Sequence, residues 1–138
     1  MNRVNLFVLD KRFEKYAKPL KQKALRVFKF LQKRSCAVDI YLVSAPKMQE
    51  LNKSYRDKDA ITDVIAVELP VGFPQKDSSY IGEVFLNPPA VESKGYSLEY
   101  ALIHGILHLL GFRHEKKSDK MEMEKQEKLI LEWLNSKY

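Results

Sequence analysis

An α+β fold is the class this sequence predicts: about four strands in a mixed sheet, packed with a central metal-bearing helix and further helices. Short β-branched and aromatic runs are interleaved with segments whose apolar residues recur every three or four positions, so both strands and helices are present. The segment from Ser97 to Leu110 is apolar on more than one face, which puts it at the centre of the fold. With 138 residues, 45% of them hydrophobic, the chain can bury one core and reads as a single domain spanning residues 1–138.

Taken in order, Asn5 to Leu9 is a short apolar run consistent with a first strand. From Tyr16 to Gln32 the residues Ala17, Leu20, Ala24, Val27, Phe28 and Leu31 make an amphipathic helix, in which Pro19 is tolerable only near the first turn. Val38 to Val43 is β-branched and aromatic, as a strand requires. Ser44 with Pro46 starts a helix that turns Met48, Leu51 and Tyr55 to one side and ends near Arg56. Val64 to Leu69 and Tyr80 to Leu86 are strands, read as a hairpin across the loop Pro70 to Ser79, which is long for such a connection. Pro88-Pro89 opens an irregular or short helical link. Ser97 then caps a helix that carries Glu99 in its first turn and runs to about Leu110. Ser118 or Asp119 caps a last helix, whose apolar side holds Met123, Ile130 and Trp133-Leu134. There is no internal repeat, linker or low-complexity tract.

The composition excludes several classes. No apolar run nears the ~20 residues that span a bilayer, and the N-terminal residues lack the order of a signal peptide, so a cytoplasmic protein is expected. The lone Cys36 agrees with a reducing compartment and reads as a buried small hydrophobe. A net charge of +6 is compatible with an anionic partner such as a phosphate polymer. Lys and Arg are densest from Lys11 to Arg34, where they are either the solvated face of a helix or a nucleic-acid surface.

All three histidines fall in one window, His104-Gly-Ile-Leu-His108-Leu-Leu-Gly-Phe-Arg-His114. On a helix, residues four apart project from nearly the same face about one turn apart, so His104 and His108 can grip one cation. Gly111 permits the left-handed turn that ends the helix and brings up His114. Three neutral imidazoles suit Zn²⁺, one per chain, and leave a tetrahedral ion an open position for water, as in catalytic sites. Other divalent transition metals fit the same set. A closed structural site would favour thiolates and a fourth ligand, and Cys36 lies in an unrelated segment. The bland alternative, core histidines held by hydrogen bonds, would bury several imidazoles in an apolar helix at considerable cost.

Zinc proteases with the motif His-Glu-x-x-His keep their general base directly after the first ligand. Here that position is Gly105, so a carboxylate from elsewhere would have to serve, with Glu83 and Glu115 the candidates. The window more closely resembles the signature of the YbeY family of bacterial endoribonucleases and rRNA maturation factors, His-Gly-x-Leu-His-Leu-x-Gly-Tyr-Asp-His. Leu51-Asn52, Tyr55-Arg56, Thr62-Asp63-Val64-Ile65 and Gly82-Glu83-Val84 resemble further blocks of the family in the same order. Phe112-Arg113 departs from Tyr-Asp, Ile65-Ala66-Val67 from Leu-Ser-Phe, and Glu83 from Asp.

The resemblance implies one metal-dependent hydrolase domain, a single-strand-specific endoribonuclease acting in 16S rRNA 3′-end maturation and 70S ribosome quality control. RNA, in the form of the 16S rRNA precursor and the ribosome, is then the expected partner, with no membrane. It also puts Arg56 at the family's functional arginine. A guanidinium there can hold two phosphate oxygens, whereas the plainer role is a helix-end cation that suits the dipole. Asp63 is either an acceptor that fixes a histidine tautomer or a residue that shapes the start of its strand. Two other readings stay open: a metallopeptidase or other zinc hydrolase, and a non-catalytic ribosome-associated RNA-binding factor.

Overall fold

A computed structural model of the chain describes residues 1–68, 80–112 and 116–136. The strands are β1 (Arg3–Val8), β2 (Ala37–Leu42), β3 (Val64–Val67) and β4 (Tyr80–Leu86). The α-helices are α1 (Ala17–Phe30), α2 (Ala45–Arg56), α3 (Pro88–Ser93), α4 (Leu98–Leu109) and α5 (Lys117–Leu134). The sheet is mixed and ordered β1-β2-β4-β3: β1 and β4 flank β2 in parallel, and β3 closes the far edge antiparallel to β4. The expected α+β architecture and the β3/β4 pairing are both present. Most of the connection between those two strands, residues 69–79, lies outside the described residues. No helix among the described residues is long and apolar enough to cross a membrane.

Local chemistry explains most boundaries. Ser44, Asn87 and Ser97 each accept a backbone N–H from the first turn of α2, α3 and α4 with their side-chain oxygens, and proline opens α2 and α3, where its missing N–H costs nothing. Three points add to or correct the expectations. The helix expected from Tyr16 is preceded by a 3₁₀ segment, Lys11–Tyr16, because Asp10 accepts from the Arg12 N–H and stops the extended chain. The last helix starts before Ser118, with extended Lys116 at its cap position and no side-chain cap; Asp119 sits in the first turn, where a negative charge suits the dipole. Cys36 is half-buried rather than buried, beneath the edge of the core.

The sheet separates two cores of unequal size. On one face Val38, Ile40, Val84 and Leu86 meet Val27 and Phe28 of α1 and Ile103, Ile106 and Leu107 of α4, with Met123, Ile130 and Leu134 of α5 completing the layer. Each such side chain, fully buried, contributes roughly 1.5–3 kcal/mol. On the other face Phe85, Ile65 and Val43 pack with Met48 and Leu51 of α2. Gly82 makes the β3/β4 contact possible: at φ 135° its missing Cβ would lie 2.4 Å from the Val67 carbonyl oxygen. Helix α4 is therefore enclosed by β3 and β4, α1 and α5, and can hold side chains in fixed positions.

Candidate functional site

One face of α4 opens on a cleft of about 890 Å³, lined also by the end of α2, the Thr62–Glu68 segment and the turn that precedes α4. His104 and His108 both line it, one turn apart along the helix. The Nδ1 of His104 lies 2.6 Å from Oε2 of Glu127 on α5, and Glu127 is 2% exposed. An ionised carboxylate only accepts, so Glu127 favours the His104 tautomer that carries its proton on Nδ1. The other oxygen of Glu127 accepts from the Tyr100 hydroxyl at 3.0 Å. Burial first, and the Glu127 charge second, push that hydroxyl up to about 12, so it remains a donor at neutral pH.

The apolar neighbours of the histidines fix how closely α4 lies on the sheet. A Cβ built on Gly105 would come within 2.8 Å of Val84 Cγ1 and 3.4 Å of Val64 Cγ2. The carboxylate that His-Glu-x-x-His enzymes carry at this position has no room here. Glu83 cannot take its place, because it shares its side of the sheet with Phe85 and adjoins Tyr41, while α4 packs against Val84 on the other side. Glu115, the other candidate, lies outside the described residues.

Helix α4 ends as its sequence indicates. Gly111 adopts φ 102°, its N–H donating to the His108 carbonyl at 3.2 Å while the Phe112 N–H reaches back to Leu107 at 3.1 Å. These two bonds are a Schellman motif, which ends the helix. His114 lies outside the described residues, so His104 and His108 are the members of the predicted triad whose positions are given. No three His, Cys, Asp or Glu groups converge on a metal position among the described residues. The two imidazoles, one of them with its tautomer set, suit a borderline divalent ion such as zinc.

Across the cleft, Arg56 occupies the last turn of α2 and Lys58 follows it. Asp57, at φ 56°, ends the helix in the left-handed conformation, and Asn52 secures the loop by donating to the Ala60 carbonyl at 2.9 Å. Arg56 is thus both the helix-end cation and a cleft residue. Asp63 is buried, and its Oδ1 accepts from Lys94 Nζ at 2.9 Å and from the Thr62 hydroxyl at 3.0 Å. Burial raises this carboxyl, but Lys94 and Thr62 outweigh it and hold it below its ordinary value of 3.8. The carboxylate on His104 is therefore Glu127, and Asp63 anchors a lysine at the start of β3.

The profile of the family described as Endoribonuclease YbeY matches residues 2–135. The chain belongs to the YbeY family. It is 36% identical over 103 residues to Endoribonuclease YbeY of Thermodesulfovibrio yellowstonii, covering 68% of this chain and 64% of that one. It is 34% identical over 109 residues to the Chromobacterium violaceum protein of the same name, covering 73% of this chain and 65% of that one. The chain thus spans just under two thirds of the length of these two YbeY proteins. The solution structure of TM1509 from Thermotoga maritima superposes with a TM-score of 0.61 at 28% identity, over 94% of this chain and 87% of that one.

Glu127 and Lys94 escaped the sequence reading. Glu127 had a signal, since it falls on the stripe Met123, Glu127, Ile130, Leu134 that α5 buries, where an acid needs a partner. Lys94, after the short α3, carried none.

Proposed function

We propose that this chain is a zinc-dependent, single-strand-specific endoribonuclease of the cytoplasm that acts in 16S rRNA 3′-end maturation and 70S ribosome quality control. The observation that carries the reading is the pairing of His104 with buried Glu127 on a helix face that shares its cleft with Arg56 and Lys58. The names of the relatives, Endoribonuclease YbeY, support RNA as the substrate.

In this reading His104, His108 and His114 hold the ion. When bound, zinc would supply Lewis acidity and a water acidified toward neutral pH. The remaining work falls to the chain's own groups. Glu127 keeps the His104 proton on Nδ1 and the ring facing the cleft. Arg56 offers a planar pair of N–H donors to a phosphodiester and fixes its orientation, with Lys58 adding positive charge on the same side. At the position where the protease keeps its base, Gly105 packs closely on Val84, and this favours phosphate over peptide chemistry.

The test is single-turnover cleavage of a labelled single-stranded RNA by zinc-loaded protein, with His108→Ala and Arg56→Glu prepared identically to expose contaminating nuclease. Cleavage by the wild type that both variants lose supports the reading. RNA or ribosome binding without turnover would instead favour the non-catalytic factor, and turnover of peptides alone would favour a peptidase.

A further inference from the structure

The cleft wall next to His104 is aromatic. Tyr96, in the turn before α4, and Tyr100, in its first turn, meet with ring centroids 5.2 Å apart and planes tilted by 59°. Both are partly buried and both line the cleft. Tyr100 is anchored through its hydroxyl to Glu127, the same carboxylate that holds His104, so ring and imidazole are positioned by one buried group. They are four residues apart on α4, about 6 Å along the axis, which makes them neighbours on one helix face.

A cation flanks this wall. Lys94 stands two residues before Tyr96, its side chain 51% exposed, with the ammonium drawn to buried Asp63 at 2.9 Å. An ammonium has three N–H donors, and the Asp63 contact fixes its position while engaging one of them. A flat apolar ring beside a tethered cation fits a nucleotide, which pairs a π face with a phosphate.

We propose that Tyr96, backed by Tyr100 and flanked by Lys94, is a nucleotide subsite on which the base beside the cleaved phosphate stacks, its own phosphate against Lys94. The inference rests on the endoribonuclease reading and deepens it. Stacking on an aromatic ring tolerates any base sequence, so the subsite selects strandedness rather than sequence. A base held in a duplex has both faces covered and must be unstacked before it can reach Tyr96, which disfavours double-stranded substrates.

The test uses the full chain loaded with zinc, a labelled single-stranded RNA, and the same RNA carrying one abasic nucleotide at each position in turn. Tyr96→Ala is expected to raise KM on intact RNA about tenfold with kcat little changed, and Tyr96→Phe to recover wild-type KM because the ring remains. One abasic position beside the cut should weaken the wild type by a similar factor and leave Tyr96→Ala indifferent. If Tyr96→Ala does not fold, Tyr96→Leu, which keeps bulk without a π face, is expected to give the same pattern. An unchanged KM in the folded variant, or equal abasic penalties in wild type and variant at every position, overturns the subsite and leaves the nuclease reading standing. Absence of RNA cleavage by the zinc-loaded wild type overturns the nuclease reading and the subsite with it.

Discussion

Oε2 of Glu127 lies 2.6 Å from Nδ1 of His104, joining the last helix to the middle of α4 across 23 residues. The contact orients an imidazole and fixes its tautomer. Glu127→Gln keeps the shape of the side chain but lets an amide present a donor to Nδ1, so the other tautomer becomes available. Zinc affinity is expected to fall about 10- to 100-fold. Competition with a chromophoric chelator measures it, and an affinity equal to wild type would separate Glu127 from metal binding.

His108→Ala is expected to lose zinc and RNA cleavage together. The helix should persist, since α4 is buried through Leu102, Ile103, Ile106 and Leu107 rather than through His108. Metal analysis alongside circular dichroism checks both halves. Stoichiometric zinc in the variant would remove His108 from the ligand set.

Arg56→Glu should leave zinc in place and suppress cleavage by more than 10-fold. Hydrogen bonds to a charged group contribute roughly 1.5–3 kcal/mol, and the reversed charge adds repulsion of the phosphate. The decisive comparison is the single-turnover rate beside zinc content. A near-normal rate would reduce Arg56 to a helix-end cation.

Gly105→Ala places a methyl group 2.8 Å from Val84 Cγ1. Alanine is the better helix former by about 1 kcal/mol, but overpacking a stiff β-branched neighbour costs about 1–3 kcal/mol. The net expectation is a modestly lower urea midpoint, and a clear gain in stability would show that α4 can lift from the sheet at no cost.

Asp63 adds a pH dependence. Its folded pKa lies below the ordinary 3.8, so its contribution to stability is complete above that value and is lost as the pH falls through the lowered one. Lys94→Met removes the largest influence that lowers it, leaving a buried carboxylate with the Thr62 hydroxyl. The variant should be less stable at neutral pH, and its loss on acidification should be smaller than that of the wild type. Urea midpoints across the acid range measure this, and parallel profiles would show that the ion pair contributes nothing.

Much of the fold was legible because its signals are local. The Ser97 cap, the left-handed Gly111, the helical spacing of His104 and His108 and the limits of β4 all depend on residues within a few positions of each other. The parallel pairing of β2 between β1 and β4 is not local, and no short pattern specifies which strands become neighbours. The site divides in the same way. The histidines stand out by spacing, whereas Glu127 lies among Glu124, Lys125, Gln126 and Lys128, where solvent-facing charge is common and only the buried stripe sets it apart. Glu83 shows the converse, since its place beside Gly82 in the sequence gives no hint that it faces away from α4.

Because the carboxylate that orients His104 comes from α5, the order of synthesis bears on when the centre becomes competent. A ribosome-bound chain that has just exposed α4 has both imidazoles but no Glu127. Until α5 is released and docks Met123, Ile130 and Leu134 onto the core, His104 lacks the carboxylate that orients its Nδ1 side. On the endoribonuclease reading, competence is thereby tied to the completion of folding, and a half-made chain lacks a finished cutting centre beside the ribosome that is making it.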